Sequence, residues 1–164
     1  GHARADQGLF VDMPWDHMGS WFRHLEVRDA STGTRLLHLW ERNGEVLTQL
    51  VPGAPEPIVI HGDVTPWNLR YRTGALSGLL DFDLAHLDLR VADFALSWRG
   101  RHDGVLEGYQ EVSRLEPVEE ELVIPIYLAW ILACAACSIR DGGSLEWELA
   151  HLRRQRLRDR VATA

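Results

Sequence analysis

The chain of 164 residues contains no lysine, so all 17 of its basic residues are arginine. Cysteine is nearly absent as well: Cys134 and Cys137 stand alone, both inside an apolar run. Two thiols so placed build no disulfide framework and fit a reducing, cytoplasmic compartment. Their Cys-x-x-Cys spelling matches a redox or zinc pair, but such sites need a helix start or two further ligands, so the pair reads as core thiols. Positive charge is scarce too. With 24 acidic residues the net charge is -7, which leaves no basic footprint for a nucleic acid and favours at most a cationic small molecule. Nothing at the N-terminus reads as a signal peptide. Gly1-His2 reads as a tag remnant, and residues 1–14 as a lead-in without period. Long apolar runs are limited to one, residues 122–139, eighteen positions without a charge. Its length is close to that of a membrane span. Pro125, many small residues and the lack of a second such run favour a central buried helix instead, and no membrane partner is expected.

What remains, 46% hydrophobic and 25% charged, is the composition of one soluble globular domain or lobe. Trp15, Met18, Trp21, Phe22 and Leu25 recur at helical spacing. Residues 29–33 read as a turn, and Leu36, Trp40, Leu47 and Leu50 as the stripe of a second helix that Asn43-Gly44 bends or splits. Three prolines in residues 51–57 make an extended linker. Ile58-Val59-Ile60 follows as a continuously apolar strand, expected to be buried on both faces. Asn68 to Tyr71 and residues 76–80 read as two more strands, joined across Arg72-Thr73-Gly74. Helices return with Ala92, Ala95 and Leu96, then with Val105, Leu106, Tyr109 and Val112. Asp141-Gly142-Gly143 stops the central helix, and Ser144 caps a last one bearing Leu145, Leu149, Leu152 and Leu157. The arginines at 153, 154, 156, 158 and 160 form a solvated tail that complements the helix dipole. Of the seven tryptophans, Trp15, Trp21, Trp40, Trp98, Trp130 and Trp147 fall at helix-face positions, and most of them read as core.

Polar chemistry interrupts the apolar strand at His61-Gly62-Asp63. Asp63 follows a glycine in a loop at a strand end, where a scaffold can aim a side chain into a cleft; capping the next turn is its plainer role. Asn68 starts a strand in which asparagine is disfavoured. Asp81 follows an apolar strand, where burial is costly unless the carboxylate is paired or bound to a cation. One carboxylate free to act as a base, plus two oxygen ligands of the kind Mg²⁺ prefers, is the inventory of phosphoryl transfer to a hydroxyl.

The ordered set His61-Gly62-Asp63-x-x-x-x-Asn68, Asp81-Phe82-Asp83 and Asp93-Phe94-Ala95 resembles the catalytic lobe of the aminoglycoside phosphotransferase and choline kinase group, relatives of the protein kinases. The resemblance covers residues 15–160. It implies an α+β, mainly helical lobe of protein-kinase-like fold in which a small β-ribbon carries the catalytic loop. It further implies Asp63 as the catalytic base, Asn68 and Asp81 as Mg²⁺ ligands beside the nucleotide, and His61 and Asp93 as structural support. Asp83 and Trp67 fall in its surroundings, and Trp67 would line the cleft. ATP or GTP would donate the phosphate to a hydroxyl of a small molecule, of aminoglycoside type among others. Acidic residues such as Glu119, Glu120 and Glu121 hold cationic acceptors in some members, although a solvated helix start is the default for them.

The same resemblance exposes a gap. Members of the group carry an N-terminal lobe with a lysine that grips the phosphates, and this chain shows neither. The 164 residues therefore read as the C-terminal lobe alone, with little activity unless the missing lobe or a partner chain supplies the rest. A non-catalytic binding or scaffold protein derived from that lobe is the alternative. A metal-dependent hydrolase using His61, Asp63, Asp81 and His86 is a further one.

Overall fold

The computed structural model describes residues 15–97 and 104–155, which form a mainly helical α+β fold. In order they are α1 (Trp15–Arg28), α2 (Ala30–Leu50), β1 (Ile58–Ile60), β2 (Leu69–Arg72), β3 (Ala75–Leu79), β4 (His86–Asp88), α3 (Ala92–Ser97), α4 (Gly104–Val112), α5 (Pro117–Arg140) and α6 (Glu146–Gln155). Contacts divide them into two compact units, residues 47–127 on one hand and 15–46 with 128–155 on the other.

In the helical unit, Met18 and Phe22 lie one turn apart on α1 and are fully buried. The turn expected over residues 29–33 shrinks to Asp29. This residue ends α1 by donating its N–H to the Leu25 carbonyl at 2.7 Å, and its Oδ1 starts α2 by accepting from Thr32 N–H at 3.1 Å. Gly33 lets the two helices approach: a Cβ there would stand 2.4 Å from Glu26 Cα. Asn43-Gly44 does not split α2, which runs from Ala30 to Leu50 with Gly33, Leu36 and Asn43 as its buried residues. Ser144 starts α6 through the bond from Glu146 N–H to its Oγ at 3.2 Å. The buried face of α6 is more polar than the leucine pattern predicted, being Glu148, His151 and Leu152. Ser138 Oγ donates to Glu148 Oε1 at 2.7 Å, and Trp130 meets Trp147 edge to face at 5.6 Å. Leu157, Trp98 and the arginines at 156, 158 and 160 lie outside the described residues.

Helix α5 continues through Pro125, although the ring removes one i to i−4 donor. It is long and apolar enough to cross a membrane, but 67% of its most apolar window is buried inside the protein, the pattern of a core helix. Leu122, Ile126, Ile131 and Leu132 are among its fully buried members, and Cys134 and Cys137 are half-buried free thiols.

The unit of residues 47–127 carries the strands. The proline-rich linker opens with one 3-10 turn, Val51–Gly53, before it extends. β1 pairs antiparallel with β4, a strand the sequence did not announce, in the register Ile58↔Asp88, Val59↔Leu87 and Ile60↔His86. The expectation that β1 is buried on both faces is corrected: Ile60 is 4% exposed, but Val59 is 72% and Ile58 50%. A two-stranded ribbon covers one face only, so Val59 turns outward, while Ile58, on the same face as Ile60, is half exposed at the start of the strand. β2 and β3 form a separate hairpin from Leu69↔Leu79 to Arg72↔Ala75, with an irregularity at Arg70/Tyr71. Its turn residues Thr73 (φ 52°) and Gly74 (φ 82°) are both left-handed, as a type I′ turn requires. On α4, Val112 is 90% exposed and is not part of the core face expected of it.

Candidate active site

The loop between β1 and β2 is built from backbone constraints outward. Gly62 has φ +80°, and a Cβ there would lie 2.3 Å from the Leu84 carbonyl oxygen, so no other residue fits without displacing the chain. Asp93, in the first turn of α3, accepts the N–H of His61 on Oδ2 at 3.1 Å and that of Gly62 on Oδ1 at 2.7 Å. One carboxylate thus ties two consecutive amides of the loop to a helix. His61 is buried and uses both ring nitrogens. Nδ1 accepts the Asp63 N–H at 3.2 Å, Nε2 donates to the Leu80 carbonyl at 2.9 Å, and Phe82 packs edge-on at 4.5 Å between centroids. These partners define the neutral Nε2–H tautomer.

Asp63 is partly exposed beyond this anchor, and Asn68 is buried beside it. Asn68 Nδ2 donates to the Asp63 carbonyl and to Asp63 Oδ2, both at 3.0 Å. With the amide nitrogen held there, the amide oxygen is the atom Asn68 offers to a cation. Leu80 N–H donates to the Asn68 carbonyl at 2.9 Å, continuing the β2–β3 hairpin by one rung. That rung brings Asn68 opposite the residue preceding Asp81. Asp81 itself is solvent-exposed, so the cost of burying its charge does not arise. Its unusual feature is φ +64°, a left-handed conformation that a non-glycine residue adopts only where its surroundings impose it. Asp83 is exposed, and Trp67, within the 3-10 turn Pro66–Asn68, is 54% exposed. Asp81 thus offers an exposed carboxylate and Asn68 a buried amide, the two kinds of oxygen donor that suit Mg²⁺, which keeps several waters and takes few protein oxygens.

The hydrolase arrangement does not assemble. His61 has spent both nitrogens, and those of His86 face the Leu84 carbonyl at 2.6 Å and Asp88 Oδ2 at 3.3 Å. Among the described residues no three His, Cys, Asp or Glu are placed to hold a metal.

Two charged residues behind the loop escaped the sequence reading. Asp88 is buried, and burial pushes its carboxyl above the usual range despite the Leu89 N–H at 2.6 Å and the His86 ring. Arg90 forms a two-pronged pair with Glu119 (Nε to Oε1, 2.6 Å) and also donates to Tyr109 Oη, Ser113 Oγ and the Arg114 carbonyl. The pairing raises the guanidinium pKa further and holds the Glu119 carboxyl below its ordinary value. Glu119 is therefore buried and occupied rather than part of a solvated acidic face, while Glu120 and Glu121 remain exposed. The available signal was the alternation of charged and apolar residues in Asp88-Leu89-Arg90-Val91-Ala92-Asp93. Charges in so apolar a stretch need buried partners.

The described residues thus form a mainly helical fold in which the His-Gly-Asp loop follows a strand of a small ribbon. The family model of the phosphotransferase enzyme family (APH) matches residues 10–121, and the chain belongs to that family. Kinases of this family generally use ATP and Mg²⁺. No curated protein matches the chain.

Proposed function

We propose that this chain carries the catalytic groups of a small-molecule kinase, which moves the γ-phosphate of ATP or GTP to an acceptor hydroxyl in the cytoplasm. The observation that supports it most is the Asp63–Asn68 pair, a partly exposed carboxylate oriented by a buried amide whose oxygen is left for a cation. Asp63 orients the acceptor hydroxyl and receives its proton. Asn68 and Asp81 would hold Mg²⁺, which when bound neutralises charge on the transferring phosphoryl oxygens. His61 and Asp93 keep the loop in place, and Asp83 and Trp67 flank it. The net charge of -7 favours a cationic, polyhydroxylated acceptor of aminoglycoside type. Because no lysine occurs in these 164 residues, the usual lysine grip on the nucleotide phosphates has no counterpart within them. Arginine is no direct substitute, so the polypeptide of this length should bind nucleotide weakly and turn it over slowly.

Phosphate transfer from ATP or GTP to a panel of hydroxylated acceptors tests the proposal. Asp63→Ala should lower the rate by about 10²–10⁴-fold while the circular dichroism spectrum is preserved. Undiminished transfer in that variant would overturn it.

A further inference from the structure

Arg90 lies three residues before Asp93, and its guanidinium is held on three sides. Glu119, 2% exposed, takes Nε and Nη2, while Ser113 Oγ at 3.0 Å and Tyr109 Oη at 3.3 Å take Nη1. The Arg114 carbonyl adds a further acceptor at 3.0 Å, and the guanidinium carbon stands 5.8 Å from the Tyr109 ring centroid. On the other side of Asp93, Phe94 meets the same Tyr109 ring edge to face at 4.9 Å. Asp93 is thus bracketed by two side chains anchored on α4, and the Arg90 anchor extends to the start of α5. Between the brackets the backbone is closed by Ala92 N–H to Leu89 O at 2.9 Å and Phe94 N–H to Val91 O at 3.2 Å. Asp93 can hold the His61 and Gly62 amides only if this short segment is itself held.

We propose that Arg90, clamped by Glu119, is a positioning residue that sets the Asp63 loop through Asp93. A forked guanidinium suits this task because its five N–H donors are fixed in one plane and reach Glu119, Ser113, Tyr109 and Arg114 together, whereas an ammonium offers only three donors on a single atom. The proposal rests on reading the Asp63 loop as the catalytic one, but its test requires neither nucleotide nor acceptor.

Amide hydrogen exchange, followed residue by residue by NMR on the 164-residue chain, provides that test. Arg90→Lys and Glu119→Gln, which conserve charge and shape respectively, should each speed exchange at His61 and Gly62 about tenfold. The Leu80 amide, bonded to the Asn68 carbonyl in the other ribbon, should be unchanged and reports general loss of stability. Unchanged exchange at His61 and Gly62, or equal acceleration at Leu80, would overturn the proposal. Failure of the phosphotransfer reading would show separately, as transfer that survives Asp63→Ala.

Discussion

Asn68 Nδ2 stands 3.0 Å from both the carbonyl oxygen and Oδ2 of Asp63, so one buried amide fixes the backbone and the side chain of the same loop residue. The proposed base is therefore oriented by the residue proposed to hold the cation, and the two roles cannot be altered independently. Asn68→Ala should cost about 1–3 kcal/mol, the usual penalty for leaving buried polar groups without partners, as measured by urea unfolding. Asn68→Asp should also destabilise, because it replaces the Nδ2 donor with a second carboxylate against Asp63.

Two glycines should respond in opposite directions to alanine. At Gly62 the positive φ and the 2.3 Å approach to the Leu84 oxygen make Gly62→Ala destabilising by about 3 kcal/mol or more. At Gly44, inside α2, a Cβ meets nothing within 4 Å, so Gly44→Ala should raise stability by about 0.5–1 kcal/mol. Thermal melts of the two variants check both signs.

Gly33 tests the approach of α1 and α2. A methyl group there would sit 2.4 Å from Glu26 Cα. Gly33→Ala should cost roughly 1–3 kcal/mol, as overpacking usually does. A melt unchanged from wild type would contradict the close approach.

The dependence of stability on pH should carry two contributions of opposite sign. Glu119 has its carboxyl pKa lowered by Arg90. Its contribution is present above the ordinary glutamate range, about 4.3, and is lost as pH falls through the lowered folded-state value. Asp88 has its pKa raised by burial. Its contribution is complete below the ordinary aspartate value, about 3.9, and is lost as pH rises through the raised one. Glu119→Gln should therefore remove stability at neutral pH and little in strong acid. Asp88→Asn should be more stable than wild type at neutral pH, with the difference vanishing in acid. Urea titrations across pH 2–8 separate the two.

The order of elements was legible because helices and hairpins announce themselves locally. Met18 and Phe22 recur at helical spacing, Thr73-Gly74 supplies left-handed turn residues, and Ser144 precedes a helix it caps. Local rules failed wherever the outcome depended on a partner distant in sequence. β4 was missed because a three-residue strand has no period of its own and exists only by pairing with β1. The outward turn of Val59 follows from that same pairing. Asp29 closed a turn expected to be five residues long because its side chain could start α2 at once.

For the candidate site, the motif His61-Gly62-Asp63, Asn68, Asp81 and Asp93 was written in the chain, as was the family it signals. Residue types at fixed intervals constitute such a signature, and no folding is needed to read it. Tertiary structure alone decided how those residues are held. Hydrogen bonds across 31 and 32 residues join Asp93 to the loop, a bond across 19 sets the His61 ring, and a pair across 29 joins Arg90 to Glu119. Contacts of that range leave no periodicity in the sequence. They arise when packing brings distant segments together and every buried polar group must find a partner.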